Sequence, residues 1–212
     1  MTAFESFLKR SFDLVASTSG LFLLWPIIVI CVSVAWRDCG VSGIYRQRRV
    51  GRFGQTFDVL KIRTMRSDSI GPTVTVANDE RITGSGKFFR RYKLDELPQL
   101  WNVFLGEMSL VGPRPDVPGY ADKLSSEERA LLALRPGITG PATIKYRNEE
   151  LLLAGESDPV TYNDRVLYPD KVRINLMYLQ NYRFIDDIRY ILMTIGLLEI
   201  PECLSSPRPD IE

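Results

Sequence analysis

The longest run of apolar residues lies near the start of the chain, from Leu14 to Trp36. Its densest part, Leu21–Trp36, contains a single polar residue, Ser33. A helix needs about 20 apolar residues to span a bilayer, so the whole run reaches that length only when its Ser and Thr residues are counted. Pro26 lies in the middle of the run and predicts a kink, because proline removes a backbone hydrogen bond and crowds the preceding turn.

Basic residues flank this run on both sides. Lys9 and Arg10 precede it, and a basic stretch begins at Arg37. Because basic residues mark the cytoplasmic side, a straight spanning helix would place one of these clusters on the wrong side. A re-entrant helix hairpin, kinked at Pro26, enters and leaves on the cytoplasmic face and is the interpretation we favour. A kinked spanning helix and a buried helix of a soluble protein are the alternatives.

The rest of the chain predicts one clear strand and several short helices. Residues Thr56–Ile62 are rich in strand formers. A capping box from Ser125 to Glu128 predicts a helix that stops before Pro136. The segment 71–86 is rich in Gly, Thr and Ser and predicts a loop.

Two further helices are predicted near the C-terminus, from Pro169 to Tyr182 and from Asp186 onwards. Tyr and Arg residues flank their apolar faces, which is typical of helices that lie in a membrane interface. Core packing of an ordinary α-rich domain explains the same pattern. The fold class that follows is α+β, mostly helical and membrane-associated, with interfacial amphipathic helices and a small β element.

The amino-acid composition limits the kinds of catalysis that the chain can perform. The chain has 212 residues, and 27 Lys and Arg against 26 Asp and Glu give a net charge of +1, which argues against nucleic-acid binding. It has no histidine, which excludes His-based catalytic triads and the usual zinc enzymes. Its three cysteines form no CxxC pair and indicate a reducing compartment. Any chemistry therefore rests on carboxylates, basic side chains, hydroxyls, backbone amides or an oxygen-bound metal.

Eight basic residues lie between Arg37 and Arg66. Such a stretch suits an anionic neighbour, either lipid head groups or the phosphates of a substrate. A solvated face paired with acids elsewhere is the alternative.

The segment Arg90–Pro115 holds the candidate chemistry. Pro98 suits the first residue of a short helix that ends before Gly106. Asp95 and Glu96 then lie just outside its N-terminus, where the helix dipole favours their ionised forms. Two adjacent carboxylates repel each other unless a cation lies between them, so Mg²⁺ is the expected guest.

Basic residues surround this carboxylate pair in the sequence. Arg90, Arg91 and Lys93 lie upstream, and Arg114 lies in a Gly-Pro-Arg-Pro turn. Carboxylates, Mg²⁺ and arginines are the components of phosphoryl-type transfer. The alternative is structural, with helix capping by the two acids and salt bridges to Arg90 and Arg91.

The sequence resembles the monotopic phosphoglycosyl transferases, the bacterial sugar transferase family. The resemblance lies in the Pro-broken apolar segment and in three blocks that follow it in the family's order: GIYRQRRVGRFGQTFDVLKIRTM (43–65), LDELPQLWNVFLGEMSLVGPRP (94–115) and RPGITG (135–140). It implies the family's minimal catalytic form, with a re-entrant membrane helix at 1–40, a cytosolic catalytic domain at the membrane interface at 41–202, and a tail at 203–212 that we expect to be disordered.

The resemblance also implies a reaction and its residues. The enzyme would transfer a sugar 1-phosphate from a UDP-sugar to a polyprenyl phosphate, such as undecaprenyl phosphate, and release UMP. Asp95 would be the nucleophile that forms a covalent phosphosugar intermediate, and Glu96, with Asp95, would hold Mg²⁺. Arg90 and Arg114 match family arginines that bind phosphate, and Lys61 and Arg63 match its Lys-x-Arg strand.

The implied place of action is the phospholipid of the bacterial inner membrane, at its cytoplasmic face, in the first membrane step of polysaccharide or glycoconjugate assembly. A homodimer is left open. Direct attack of the lipid phosphate on the UDP-sugar is one alternative, and a non-catalytic membrane-bound assembly factor of the same fold is another. The chain departs from the family at Trp25, where members often carry Ser, and at Asn175, where they often carry an acid.

Overall fold

The computed structural model describes residues 1–66, 79–120, 124–201 and 204. Residues 71–78 of the predicted loop 71–86, and all of the predicted tail 203–212 except Leu204, lie outside the described residues. The helices are α1 (Ala3–Cys39), α2 (Gly84–Arg91), α3 (Gln99–Leu105), α4 (Pro141–Lys145), α5 (Glu149–Ala154), α6 (Pro159–Tyr162), α7 (Tyr168–Gln180) and α8 (Phe184–Thr194). The strands are β1 (Ile44–Val50), β2 (Thr56–Ile62), β3 (Ser109–Val111) and β4 (Gly137–Thr139).

The fold is mostly helical with two small sheets, as predicted. Strands β1 and β2 form an antiparallel hairpin in which Ile44 pairs with Ile62 and Val50 with Thr56. The bounds of β2 match the predicted strand. Its alternate residues Phe57 and Val59 are buried, because successive side chains of a strand point to opposite faces.

The second sheet joins two of the sequence blocks. Strands β3 and β4 pair in parallel, so the block that ends in Gly-Pro-Arg-Pro lies beside the RPGITG block. The Gly112 amide donates to the Thr139 carbonyl at 2.9 Å, and the Gly137 amide donates to the Pro113 carbonyl at 2.7 Å. A Cβ on Gly140 would lie 2.4 Å from the carbonyl oxygen of Gly112, so the two backbones can approach this closely only without a side chain there.

Helix α1 contains the apolar run and continues through Pro26. Within the described residues, it is the one helix long and apolar enough, by length and composition, to cross a membrane. The structure does not resolve the predicted hairpin into two separate helices, because the helical assignment is continuous from residue 3 to 39.

One face of α1 packs against the rest of the protein. Buried positions recur along it at Lys9, Asp13, Ser17, Cys31 and Ala35. This spacing follows the 3.6-residue period of a helix. The opposite face exposes large apolar side chains: Phe4, Phe7, Val15, Phe22, Leu23, Trp25, Val29, Ile30 and Trp36.

The two basic residues before the apolar run are engaged inside the protein. Lys9 Nζ lies 2.6 Å from Asp187 Oδ2 in a buried ion pair with α8. The Arg10 guanidinium donates to the carbonyls of Val103 and Phe104 at the end of α3, at 2.7 and 2.9 Å. These contacts give both charges a structural role, so the charge argument for membrane orientation rests on the residues after α1.

The predicted C-terminal helices exist with shifted ends. The predicted helix 169–182 is α7, and the one from Asp186 is α8, which ends at Thr194. The capping box of Ser125 and Glu128 is present, with hydrogen bonds of 2.8 and 3.3 Å. The prediction of an α-helix there is wrong, because the segment forms only a short 3₁₀ helix, Glu128–Ala133.

Candidate active site

A large cleft of about 1570 Å³ runs along the β1–β2 hairpin, the turn before α3, the Gly-Pro-Arg-Pro segment, and helices α4, α5 and α7. All six residues that the sequence singles out for chemistry line it: Lys61, Arg63, Arg90, Asp95, Glu96 and Arg114. Pro26, the predicted kink residue, lies in α1 and is not part of the lining.

The two acids lie in a tight turn before α3. Lys93 takes the left-handed conformation with φ of 56°, which a non-glycine residue rarely adopts and which is common at active sites. The chain then forms a 3₁₀ turn, Leu94–Glu96, and enters α3 after Pro98. Gly106 ends α3 with φ of 85°, as predicted. Both carboxylates are buried, at 8% exposure for Asp95 and 9% for Glu96.

Glu96 is held by cations. Arg114 Nη2 donates to its Oε1 at 2.7 Å, and Lys61 Nζ lies 3.8 Å from the same oxygen. Burial acts to raise the pKa of Glu96, but the charges of Arg114, Lys61 and Lys93 outweigh it and lower this pKa to about 2. Glu96 is therefore ionised at any physiological pH. Burial, together with Arg114, lowers the pKa of Lys61 to about 8 against the opposing effect of Glu96.

Asp95 has the opposite environment. Its Oδ1 is buried and has no hydrogen-bond partner among the described residues. Burial, reinforced by the negative charge of Glu96, raises the pKa of Asp95 above its usual 3.8, although Lys61, Arg90 and Lys93 act against this shift. The prediction that the helix end favours the ionised form is thus wrong for Asp95, since removal from water outweighs the dipole. The site holds a desolvated carboxylate with an oxygen left available.

The other predicted residues reach the same cleft with partners of their own. Arg90 Nε donates to Thr64 Oγ1 at 3.0 Å, and its Nη1 pairs with Glu150 Oε1 at 3.0 Å. Arg63 Nε donates to the Ser42 carbonyl at 2.8 Å. The structural alternative from the sequence, salt bridges from the acids to Arg90 and Arg91, is wrong in its partners, because Glu96 pairs with Arg114 and Lys61.

Sequence reasoning missed several charged residues of the cleft. Asp116 follows the Gly-Pro-Arg-Pro turn directly, and burial raises its pKa to about 6 against the pull of Lys171 and Arg49. Arg49 belongs to the basic stretch between Arg37 and Arg66, and no feature of the sequence distinguishes it from the arginines around it. Lys171 Nζ lies 2.6 Å from Glu149 Oε1 across the cleft. These residues come from separate parts of the chain, and no local spacing marks them.

The donor set suits Mg²⁺ better than a metal that requires a full protein cage. Among the described residues, no three Cys, Asp or Glu side chains lie together as a metal cluster. Mg²⁺ is commonly held by one or two carboxylates, with waters and substrate phosphates completing its coordination. The unpartnered Oδ1 of Asp95 is the carboxylate oxygen that fits this use, whereas Glu96 Oε1 is already neutralised by Arg114.

Comparisons with known proteins match most of the chain. A family model described as "Bacterial sugar transferase" matches residues 4–199. The chain is 36% identical over 209 residues to a UDP-galactose-lipid carrier transferase of Erwinia amylovora, covering 91% of this chain and 40% of that protein. It is 34% identical over 214 residues to the exopolysaccharide production protein ExoY of Rhizobium meliloti, covering 93% and 86%.

A third relative has a more specific name. The chain is 33% identical over 195 residues to the UDP-glucose:undecaprenyl-phosphate glucose-1-phosphate transferase of Caulobacter vibrioides, covering 90% of this chain and 69% of that protein. The chain thus spans less than half of the Erwinia protein but most of the Rhizobium and Caulobacter proteins.

Proposed function

Because the chain belongs to the bacterial sugar transferase family, we propose that it transfers a sugar 1-phosphate from a UDP-sugar to a polyprenyl phosphate and releases UMP. The observation that carries this proposal is the pair Asp95–Glu96. Asp95 is desolvated and its Oδ1 has no hydrogen-bond partner in the described part of the chain, while Glu96 is held by Arg114 and Lys61. The name of the Caulobacter relative supports undecaprenyl phosphate as the acceptor.

The transfer proceeds in two displacements. In the first, an Asp95 carboxylate oxygen attacks the β-phosphorus of the UDP-sugar, and the bond from that phosphorus to the bridging oxygen breaks, so that UMP leaves with the electron pair. In the second, a phosphate oxygen of the polyprenyl phosphate attacks the same phosphorus and releases Asp95. Neither step needs a histidine, because the nucleophiles and the leaving groups are already anionic. A covalent intermediate lets one carboxylate serve both substrates in turn.

The basic residues of the cleft prepare it for a diphosphate. Lys61 and Arg114 lie at Glu96, beside the attacking carboxylate, and hold positive charge where phosphate must approach. Arg90 and Arg63 line the same cleft and act as further phosphate ligands. Fixed cations in a site shielded from water stabilise charge that develops during transfer.

Asp95 and Glu96 are the residues that would hold Mg²⁺. When bound, the ion neutralises charge on the diphosphate and polarises its phosphoryl oxygens. We expect chelation with EDTA to abolish UMP release and added Mg²⁺ to restore it.

We propose that helix α1 is a re-entrant element that holds the cleft at the cytoplasmic face of the bacterial inner membrane. Two contacts at opposite ends of α1 support this topology: Lys9 pairs with Asp187, and Ala35 packs in a cluster with Ile62 and Phe89. A spanning helix would hold its two ends on opposite sides of a hydrocarbon core about 30 Å thick, yet both ends contact the body that carries the charged cleft. The exposed apolar face of α1 is then the face in contact with lipid.

The test is UMP release by the purified protein in detergent. The assay uses a panel of UDP-sugars with undecaprenyl phosphate and Mg²⁺, and it compares the native protein with Asp95→Asn and with Asp58→Asn, which removes an exposed acid on β2. We expect release with one or a few sugars, loss in Asp95→Asn and retention in Asp58→Asn. Full activity of folded Asp95→Asn would contradict the role of Asp95, and silence across the panel would favour a non-catalytic assembly factor.

A further inference from the structure

A second pair of unusual polar atoms lines the cleft. Thr143 Oγ1 on α4 and Asn175 Oδ1 on α7 are buried and have no hydrogen-bond partner among the described residues. Asn175 as a whole is 6% exposed. Leaving such a group unpaired is costly, and native proteins rarely keep one without a reason. Two uncharged side chains of this kind in one cleft point to a ligand that completes their hydrogen bonds.

The helices that carry the two residues are fixed to each other. Lys145 Nζ at the end of α4 lies 3.0 Å from Asp170 Oδ2 on α7, and the Tyr146 hydroxyl donates to the same oxygen at 2.5 Å. All three side chains are buried. Ala142 and Ile174, the sequence neighbours of the two unpaired residues, belong to one hydrophobic cluster. Thr143 and Asn175 are therefore held on a rigid support and do not relax easily to find other partners.

The hydrogen-bonding capacity of these two atoms indicates which groups of a ligand can pair with them. The Asn175 Oδ1 can only accept a hydrogen bond, and the Thr143 hydroxyl can accept one or donate one. A phosphate offers acceptors alone, so it gains nothing from Asn175 Oδ1. Hydroxyl and amide N–H groups are the donors that match both atoms. In a UDP-sugar these donors are the hydroxyls of the sugar and the ribose and the N3–H of the uracil.

We propose that Thr143 and Asn175 form a hydrogen-bonding subsite for a neutral, donor-bearing ring of the UDP-sugar. This inference rests on the proposed function, because it assumes that a UDP-sugar occupies the cleft. The diphosphate then lies along the basic residues near Asp95, and the subsite on α4 and α7 sets which ring is accepted. Since a site built around buried acceptors rejects rings that lack the matching donors, these two residues determine specificity.

The test measures binding by calorimetry in an Asp95→Asn parent, which prevents turnover. Thr143→Val and Asn175→Leu each remove one acceptor, and Asn175→Ala does so without adding bulk. Thr161→Val and Asn181→Leu make the same chemical changes at exposed positions outside the cleft lining. Each protein is titrated with UDP and with the UDP-sugar that supports UMP release. The loss of one neutral hydrogen bond predicts a rise in Kd of about 3- to 10-fold.

The outcomes distinguish a sugar subsite from a nucleoside subsite, and failure of the subsite from failure of the proposed function. A weaker UDP-sugar complex with unchanged UDP binding assigns the subsite to the sugar, and an equal loss for both ligands assigns it to the nucleoside. The subsite variants should also unfold at a higher temperature than the parent, because they no longer bury an unpaired oxygen. Unchanged affinity for both ligands would overturn the subsite alone, whereas the absence of UMP release by the native protein with every UDP-sugar of the panel would overturn the proposed function itself.

Discussion

At the scale of single residues, two adjacent acids differ because their surroundings differ. Glu96 accepts a hydrogen bond from Arg114, while the Oδ1 of its neighbour Asp95 has no such partner in the described part of the chain. Pairs of titratable groups whose environments push their pKa values apart are typical of catalytic sites. The low pKa of Glu96 keeps a fixed negative charge beside Asp95, and burial keeps Asp95 poorly solvated.

The pH profile of UMP release should report the raised pKa of Asp95. Attack requires the carboxylate, so kcat/KM falls as the pH falls through a value above 3.8, while Glu96 stays ionised. Lys61 lowers the pKa of Asp95, so Lys61→Met should move this acid limb to higher pH. Asp116 also has a raised pKa, but Lys61 is not among the groups that shift it, so movement of the limb distinguishes Asp95 from Asp116.

Arg48→Met is the matched control for this profile, because it removes a cation from an exposed pair with Asp58 on the same hairpin. The control should leave the acid limb where it is. A limb that moves to lower pH in Lys61→Met would contradict the assignment to Asp95.

Arg114→Met should destabilise the fold in a pH-dependent way. It removes the closest partner of Glu96, and we expect a loss of about 1–3 kcal/mol in the free energy of unfolding at neutral pH. Because the folded pKa of Glu96 is depressed, this stabilisation is fully present above 4.5 and is lost as the pH falls towards about 2. Thermal unfolding across this range measures it. In a Glu96→Gln background the same substitution should cost much less, and an equal cost there would contradict the coupling.

At the scale of elements, the sequence predicts what is local. The strand at β2 and the helix between Pro98 and Gly106 follow from strand formers and from end signals within a few residues. The pairing of β3 with β4 could not be predicted, because it depends on contacts between segments about 28 residues apart, which no local period encodes. The same holds for the cleft, where Arg49, Asp116 and Lys171 meet only after folding.

The contact that attaches the start of α1 to the rest of the protein is another feature that the sequence did not predict. From the sequence, Lys9 is interpreted as a basic residue that flanks a membrane segment, yet it pairs with Asp187. Asp187 also accepts hydrogen bonds from the hydroxyls of Tyr178 and Tyr182, at 2.6 and 3.0 Å. A single polar cluster thus joins α1, α7 and α8. It explains why a charged pair lies in a buried position, since Asp187 has three donors around it.

Removal of both partners of the Lys9–Asp187 ion pair should cost less stability than the two single removals added together. Lys9→Met leaves the buried Asp187 without its cation, and we expect a loss of about 3 kcal/mol in the free energy of unfolding. The double variant Lys9→Met, Asp187→Leu should lose less than the sum of the two single changes. Denaturant unfolding in detergent measures all three proteins. Strictly additive losses would show that the two residues are not coupled.

At the scale of the whole molecule, the apolar surface and the charged cleft belong to one body. Helix α3 packs against α1. Like α1, it exposes large apolar side chains: Trp101, Phe104 and Leu105. The turn with Asp95 and Glu96 leads directly into α3. Under the proposed function, a membrane that covers this surface would place the carboxylates near the head groups, within reach of a polyprenyl phosphate in the bilayer and a UDP-sugar from the cytosol.

The composition of α1 predicted a membrane segment but could not distinguish a re-entrant helix from a spanning one. That choice depends on whether both ends contact the same body, which is a tertiary property. Single cysteines at Ala3 and Gln55, in a background without the native cysteines, test it in cells. Both positions are exposed, and we expect both to react with an impermeant maleimide only from the cytoplasmic side. Labelling from opposite sides would establish a spanning helix.

The central claim is that Asp95 carries the phosphosugar between the two substrates. Intact-protein mass spectrometry after incubation with the UDP-sugar and Mg²⁺, without polyprenyl phosphate, tests it most directly. We predict an added mass equal to one sugar phosphate that maps to Asp95, is absent in Asp95→Asn and disappears when polyprenyl phosphate is added. Turnover by the native protein with no adduct at any time point would contradict the claim and would mean that the lipid phosphate attacks the UDP-sugar directly.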